Sequence, residues 1–438
     1  MTMMIREPRV EDEGASDEAA PVPGTHDIRE DIARCVHCGF CLQACPTYLE
    51  LGMETDSPRG RIALIDAVTS GRASPTQPLL AHLDACLQCR ACERACPSAV
   101  PFGRIMEDAR ARVVESSKAP LAWKVRTRAL RHVVGHSGRL SVLASLGRAY
   151  QRSRPGVALR AALTRVLPPI ARLDDALPRL SASAFHMPAQ PPGLTRTVAL
   201  LTGCVMPHMY PRTHEATVRV LNRLGYRVVV PAQQTCCGAL SLHAGDRRFA
   251  RELARRNVAA FLASEAEAVI VNAAGCGSTM KEYAALLADD VACAAAARRL
   301  SERTYDVLEF VASQTFSPLG RIDADVTLQD SCHLAHAQGI TAAPRALLRA
   351  IPGIELREMA APDRCCGSAG IYSLVQRDLS ARLLRSKMDD VARTGATVIA
   401  TANPGCMAQL EAGARRRRLD VRVVHVIELL DEAMARTR

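Results

Sequence analysis

Two runs of cysteine share one spacing: Cys35-x2-Cys38-x2-Cys41-x3-Cys45-Pro46 and Cys86-x2-Cys89-x2-Cys92-x3-Cys96-Pro97. In this pattern three closely spaced thiolates bind three irons of one 4Fe-4S cube, and the fourth cysteine reaches the neighbouring cube. A two-residue gap lets a loop wrap one corner of the cube. The three-residue gap turns the last thiolate away, and proline then redirects the chain. Cys35, Cys38, Cys41 and Cys96 are therefore assigned to one cluster, and Cys86, Cys89, Cys92 and Cys45 to the other. Zinc sites use CxxC pairs without this triple, and buried structural cysteine has no reason to repeat. Two cubes that share ligands in this way carry single electrons. Arg34, His37, Arg90, Arg94 and Arg104 stand beside these thiolates, and positive neighbours favour a reduced cluster. In so arginine-rich a chain no single one of them is assigned that role.

A second constellation lies in the C-terminal half. Cys204, Cys236-Cys237-Gly238 and Cys276 are followed by Cys332, Cys365-Cys366-Gly367 and Cys406, offset by 128, 129 and 130 residues. Adjacent cysteines make a strained disulfide, whereas two thiolates on one turn, with glycine allowing close backbone approach, make a ligand cradle. Cys332, Cys365, Cys366 and Cys406 form a candidate additional cluster site, and Cys204, Cys236, Cys237 and Cys276 a weaker one. The alternatives for both sets are structural thiols or redox dithiols. His208, His333 and His336 are neighbours that serve as extra ligands, as proton donors or simply as loop hydrogen-bonding groups. Cys293, in VACAAAARR, reads as a small core residue.

The two CCG repeats behind a two-cluster ferredoxin-type module resemble the CCG-domain proteins, which include heterodisulfide reductase and the iron-sulfur subunits of glycolate, lactate and glycerol-3-phosphate oxidising complexes. The phrases SCHLAHAQGI, DRCCGSAGIYSLVQ, LLRSKMDDVARTGA and ATANPGCMAQLEAG are most similar to the glycolate oxidase iron-sulfur subunits. That resemblance implies electron transfer within a complex. A flavoprotein partner would oxidise glycolate to glyoxylate, and this chain would relay electrons toward a quinone or other acceptor. One departure stands out. Where heterodisulfide reductase has a CxxC pair at the end of each repeat, GCG at 275–277 and PGC at 404–406 hold one cysteine each, which argues against disulfide reduction by that mechanism.

These residues need elements to position them. Strand-like runs at Val198–Leu201, Arg227–Val230 and Ala268–Asn272 alternate with helical stretches at 214–224, 247–263 and 278–288. The order recurs with strands at Val326–Gln329, Glu355–Glu358 and Thr397–Ala400, helices near 343–350, 377–393 and 405–414, and a last strand and helix at 421–435. Such alternation predicts parallel sheets whose strand ends carry the cysteines. The fold class expected is therefore an α+β multidomain chain with a helical ferredoxin module followed by two repeated α/β lobes. Its expected divisions are a disordered acidic tail at 1–26, the ferredoxin module at 27–103, a basic helical segment at 104–177, a linker at 178–197, a first lobe at 198–320 and a second at 321–438.

Composition closes off other classes. The 438 residues carry 56 basic and 45 acidic side chains, a net +11, which by itself points toward an anionic partner. Residues 104–172 alone hold +12, so the excess marks one amphipathic segment. That segment suits either docking on a partner subunit or on a membrane surface, or packing against its own protein with a charged outer face. Only four of the basic residues are lysine, at 118, 124, 281 and 387. A redox sensor binding nucleic acid is the different-class alternative. It is disfavoured, because aromatics are 3% of the chain and offer no stacking platform. No apolar leader or long apolar run is visible, so the expected setting is cytoplasmic, in peripheral contact with the inner face of the cell membrane. No strand-linked GxGxxG occurs, so no Rossmann-type dinucleotide site is expected.

Overall fold

The computed structural model describes residues 28–116, 119–153, 155–158, 179–316 and 318–437. The acidic tail, residues 159–178 and the basic residues Lys118, Arg154, Arg160 and Arg165 lie outside the described residues.

Two parallel four-stranded sheets follow a helical N-terminal third. In chain order the strands are β1 (Arg196–Leu201), β2 (Tyr226–Val229), β3 (Ala268–Val271), β4 (Thr304–Asp306), β5 (Ala324–Leu328), β6 (Ile354–Leu356), β7 (Val398–Thr401) and β8 (Arg422–His425). Their spatial orders are β2-β1-β3-β4 and β6-β5-β7-β8, one topology used twice. The register repeats too: Val198 pairs with Ala268 in the first sheet, and Val326 with Val398 in the second. β3 and β7 are buried along their whole length, as strands covered on both faces must be. β4 escapes the sequence reading. Its three residues, TYD, are too few and too polar to register as a buried run.

The lobes share one core. Val198, Leu200 and Ile270 of the first sheet and Val326, Leu328 and Val424 of the second belong to a single buried apolar cluster. Helices Pro211–Arg223 and Val426–Ala435 pack across the joint. Arg219 and Arg223 both reach Asp431 there, each at 2.7 Å. The ferredoxin module has its own small core of Ile62, Ile65, Leu80, Leu83, Ile105 and Met106.

The basic segment forms helices Phe102–Glu115, Leu121–Val133 and Ser137–Arg152. Several of its arginines turn inward: Arg126 pairs with Asp84 at 2.6 Å, Arg131 with Asp246 at 2.8 Å, and Arg148 donates to Ser181 O at 3.1 Å. Much of the charge in this stretch therefore binds the helices to the rest of the molecule.

Candidate iron-sulfur centres

Each cysteine run of the ferredoxin module makes the same loop. Cys35 is followed by left-handed backbone at His37 (φ 55°) and Gly39 (φ 84°), and Cys86 by the same at Gln88 (φ 55°) and Arg90 (φ 62°). Alternating hand turns successive N–H groups toward one point, an arrangement that binds anions and iron-sulfur centres. The Gln88 N–H donates to Cys86 Sγ at 3.4 Å. Gln88 and Arg90 adopt this backbone without the freedom of glycine, a strain that persists only where surroundings impose it. Short helices then carry the third thiol of each run, Cys41 in Phe40–Ala44 and Cys92 in Ala91–Arg94.

The two runs lie side by side. Cys35, Cys38, Cys41 and Cys96 line one small cavity, with Cys92 at its wall. Burial first, then the fields of Cys89, Glu93, Cys86 and Cys45, push the Cys92 thiol well above its ordinary range. Among the described residues no three Cys, His, Asp or Glu side chains converge closely enough to hold a single metal ion. Thiolates around a four-iron cage stand farther apart than four ligands of one zinc. The donor set, thiolate alone, fits the cage.

The cations that hold these loops are mostly not those adjacent in sequence. Arg34, His37 and Arg94 are exposed, and Arg104 is bound to Asp31. Arg61, buried at 1% exposure, instead donates to His82 O at 2.8 Å, Thr47 Oγ1 at 3.0 Å and Asp56 Oδ1 at 3.2 Å. That knot backs Cys45, whose Sγ is 3.2 Å from Thr47 Oγ1. Arg110 donates to Leu83 O, Cys86 O and His243 O at 2.7–2.8 Å. Neither arginine carries a sequence signal beyond its place on an apolar helix face.

In the lobes each of the eight patterned cysteines sits at the carboxyl end of the sheet. Cys204 follows β1, Cys276 β3, Cys332 β5 and Cys406 β7, while the paired cysteines follow β2 and β6. Each set is a chain of hydrogen-bonded thiols. Cys236 accepts from Cys204 and Cys237, and Cys237 is also joined to Cys276. Cys365 is joined to Cys332 and Cys366, and Cys406 to Cys366. Those bonds, then burial, raise Cys237, Cys365 and Cys406, whereas the bonds lower Cys236, Cys332 and Cys366 against the effect of burial. The two sets face a common cavity of about 1000 Å³. Their last loops touch across the lobes, with Ala274 N donating to Ala402 O at 3.1 Å.

The histidines divide. His333 Nδ1 lies 3.6 Å from Cys332 Sγ. His208 faces Ser141 and Arg148 instead of the thiols, and His336 meets Asp363 O at 3.2 Å. Cys293 is half-buried, against the first lobe's apolar cluster and at the mouth of helix Ala294–Glu302.

The second ferredoxin loop enters between the lobes. Leu87 and Cys89 share one buried cluster with Cys365, Tyr372, Leu379 and Leu383, with Cys332 packed against it. Tyr372 OH donates to Ala85 O at 2.8 Å, and Arg90 binds Glu93 at 2.7 Å and also reaches Glu282 of the first lobe.

With this arrangement in place, similarity to known proteins becomes informative. The cysteine-rich CCG domain matches residues 198–281 and 326–411, and the 4Fe-4S dicluster domain matches residues 31–100. A probable glycolate oxidase iron-sulfur subunit of Bacillus subtilis is 40% identical over 92% of this chain and 94% of its own length. The glycolate oxidase iron-sulfur subunit of Escherichia coli is 34% identical over the same shares. The chain belongs to the glycolate oxidase iron-sulfur subunit family. Lactate utilization protein A of Macrococcus caseolyticus is 30% identical, but over 53% of this chain. In solved structures, a hypothetical protein from Helicobacter pylori shares the fold, with a TM-score of 0.56 at 9% identity over 94% of this chain and 73% of that one. Members of this family are electron-transfer iron-sulfur proteins, and the dicluster module here is a 4Fe-4S module. No helix among the described residues is long and apolar enough to cross a membrane.

Proposed function

We propose that this chain is the electron-relay subunit of a glycolate dehydrogenase complex, whose flavoprotein subunits oxidise glycolate to glyoxylate, with a quinone or other acceptor downstream. Cys35, Cys38, Cys41 and Cys96 hold one 4Fe-4S cluster, and Cys86, Cys89, Cys92 and Cys45 the other. Cys332, Cys365, Cys366 and Cys406 hold a further iron-sulfur centre, as do Cys204, Cys236, Cys237 and Cys276 in the first lobe. When bound, these groups accept and release electrons one at a time. The chain's own part is to hold them close and dry. The observation that carries this reading is the burial of Cys89 and Cys365 in one apolar cluster with Cys332 packed against it, since such packing keeps water from between the centres. The relatives named as glycolate oxidase subunits, matched along more than nine-tenths of their length, favour glycolate over lactate. The complex would work in the cytoplasm, peripheral to the inner face of the cell membrane.

Iron and sulfide analysis with EPR of the oxidised and reduced chain is expected to show at least about eight irons, four for each ferredoxin-type cluster. About four or fewer would defeat the assignment. The reassembled complex should reduce a dye with glycolate, and lactate turnover without glycolate turnover would overturn the choice of substrate.

A further inference from the structure

Helix Arg247–Leu262 of the first lobe and helix Arg377–Thr394 of the second hold the same place in the repeat, and the buried side chains by which they reach their CCG turns differ in charge. A Cβ on Gly238 would meet the backbone of Ala250, and one on Gly367 the backbone of Ser380. Those contacts, like the Cys276 to Cys406 spacing, set an offset of 130 residues, which places Asn257 of helix Arg247–Leu262 opposite Lys387 of helix Arg377–Thr394. Both side chains are buried, at 0% and 1% exposure, and both brace the turn leading into the paired cysteines. Asn257 Oδ1 accepts from Thr235 N at 2.8 Å, and its Nδ2 donates to Cys236 O and to Tyr283 Oη, each at 3.0 Å. Tyr283 OH in turn donates to Cys237 O at 2.7 Å. In the second lobe Lys387 Nζ donates to Ala361 O at 2.6 Å and Pro362 O at 3.2 Å. The counterpart of Tyr283 there is Gly413, with Met388 against it.

A neutral amide and phenol therefore hold the first CCG turn, and an ammonium holds the second. A cation out of water is costly unless an opposite charge faces it. Carbonyl dipoles supply only part of that. The nearby Asp390 carboxylate already accepts from Ala360 N at 2.9 Å and Ala361 N at 2.8 Å and pairs with Arg393 at 3.4 Å. Cys366, Cys365 and Asp363 also act on Lys387, whose pKa burial pulls down and Cys366, Asp390, Cys365 and Asp363 hold up. This is one of only four lysines in the chain.

We infer that Lys387 is a positioning residue that orders the two lobes electronically. Its buried ammonium favours the reduced, more negative state of the group held by Cys332, Cys365, Cys366 and Cys406, so that electrons arriving past Cys89 settle in the second lobe in preference to the first. The inference rests on the reading that both lobes hold iron-sulfur centres. Each step moves one electron from the ferredoxin-type centre, which is oxidised, to the lobe centre, which is reduced. No bond forms or breaks and no proton moves. Net charge is among the determinants of cluster potential, and a fixed charge in a low-dielectric site acts strongly.

The test is an EPR-monitored redox titration of the full chain, with signals assigned by Cys366→Ser and Cys236→Ser. In the unsubstituted protein the signal lost in Cys366→Ser should titrate at the higher potential. Lys387→Gln, which keeps a donor for Ala361 O, should lower the reduced-to-oxidised ratio of that signal at least about tenfold at fixed ambient potential, about 59 mV for one electron. Iron content and the signal assigned to Cys236 should not change, and Lys387→Arg should restore the ratio. Full iron with an unmoved potential in Lys387→Gln overturns the inference and leaves the lobe centres standing. About eight irons with no signal dependent on Cys366 or Cys236 overturns the underlying reading instead. If Lys387→Gln does not assemble, the unsubstituted protein still decides, because a first-lobe potential equal to or above that of the second is incompatible with the inference.

Discussion

At the scale of single residues, the chemistry depends on cations that have nowhere else to go. Arg61 is fully buried, and its partners Thr47 and Asp56 are buried with it. Arg61→Met would leave the Asp56 carboxylate with His82 alone among the ionisable groups that pair with it here. Removing one member of a buried pair costs about 3 kcal/mol or more. The expected result is a lower urea midpoint for the holoprotein and selective loss of the centre that includes Cys45, read as a fall in iron content. The sixteen patterned thiols were legible because spacing is a local property and a three-iron wrap admits few spacings. Arg61 and Arg110 were not, because their partners come from folding: Arg110 reaches His243, 133 residues away, and Arg90 reaches Glu282, 192 residues away. An arginine on an apolar helix face gives no sign of which carbonyl it will meet.

At the scale of elements, the repeat was visible in the sequence because cysteine, glycine and strand runs recur at nearly constant offset, whereas β4 was invisible because three residues cannot display a period. The repeated turn makes a graded prediction. Gly238 (φ 90°) and Gly367 (φ 84°) both occupy left-handed backbone, but an added Cβ comes within 3.3 Å of Ala250 O in the first and 2.8 Å of Ser380 O in the second. Alanine at either position pays about 1–2 kcal/mol for the backbone alone, and at Gly367 the helix must also shift. Urea unfolding should therefore rank Gly367→Ala below Gly238→Ala, with iron lost first from the former. The joint between the lobes supplies a pH dependence. His214 accepts from Asn272 Nδ2 at 2.9 Å on one ring nitrogen, with the other 3.1 Å from Thr202 O, and burial lowers its pKa to about 4. Burial also lowers His425 to about 3. Above the ordinary histidine range both are neutral whether folded or unfolded, and stability is unaffected. As pH falls from about 6.5 toward 4 the unfolded chain takes up protons that the folded joint refuses, so stability falls, by roughly 3 kcal/mol for His214 alone. His214→Gln should flatten that slope in thermal unfolding measured across pH 4–7.

At the scale of the whole molecule, the ferredoxin module is fastened at the loop where electrons would leave it. Arg110 from one side and Tyr372 from the other hold the backbone at Leu83, Ala85 and Cys86, and Leu87 and Cys89 fill the space between. The same loop keeps Gln88 and Arg90 in left-handed backbone, so the clamp also maintains the strain that aims N–H groups at the centre. The opposite run is built alike but faces outward, held by Arg59 donating to His37 O at 3.0 Å while Val36, Cys38 and Phe40 are exposed. The module therefore has a buried end facing the lobes and an open end facing outward, an asymmetry that identical spacing in the two runs could not reveal. Arg110→Met tests whether the clamp maintains the loop geometry. It takes the arginine donor from Cys86 O and His243 O and leaves Leu83 O with backbone N–H donors alone, and each buried unpaired group costs about 1–3 kcal/mol. If the clamp sustains the loop, amides of residues 83–90 should exchange hydrogen at least about tenfold faster, with no comparable change at 35–41, because local opening tracks local stability. Equal acceleration in both loops would mean that the substitution loosens the module as a whole, and that the loop between the lobes holds its shape without Arg110.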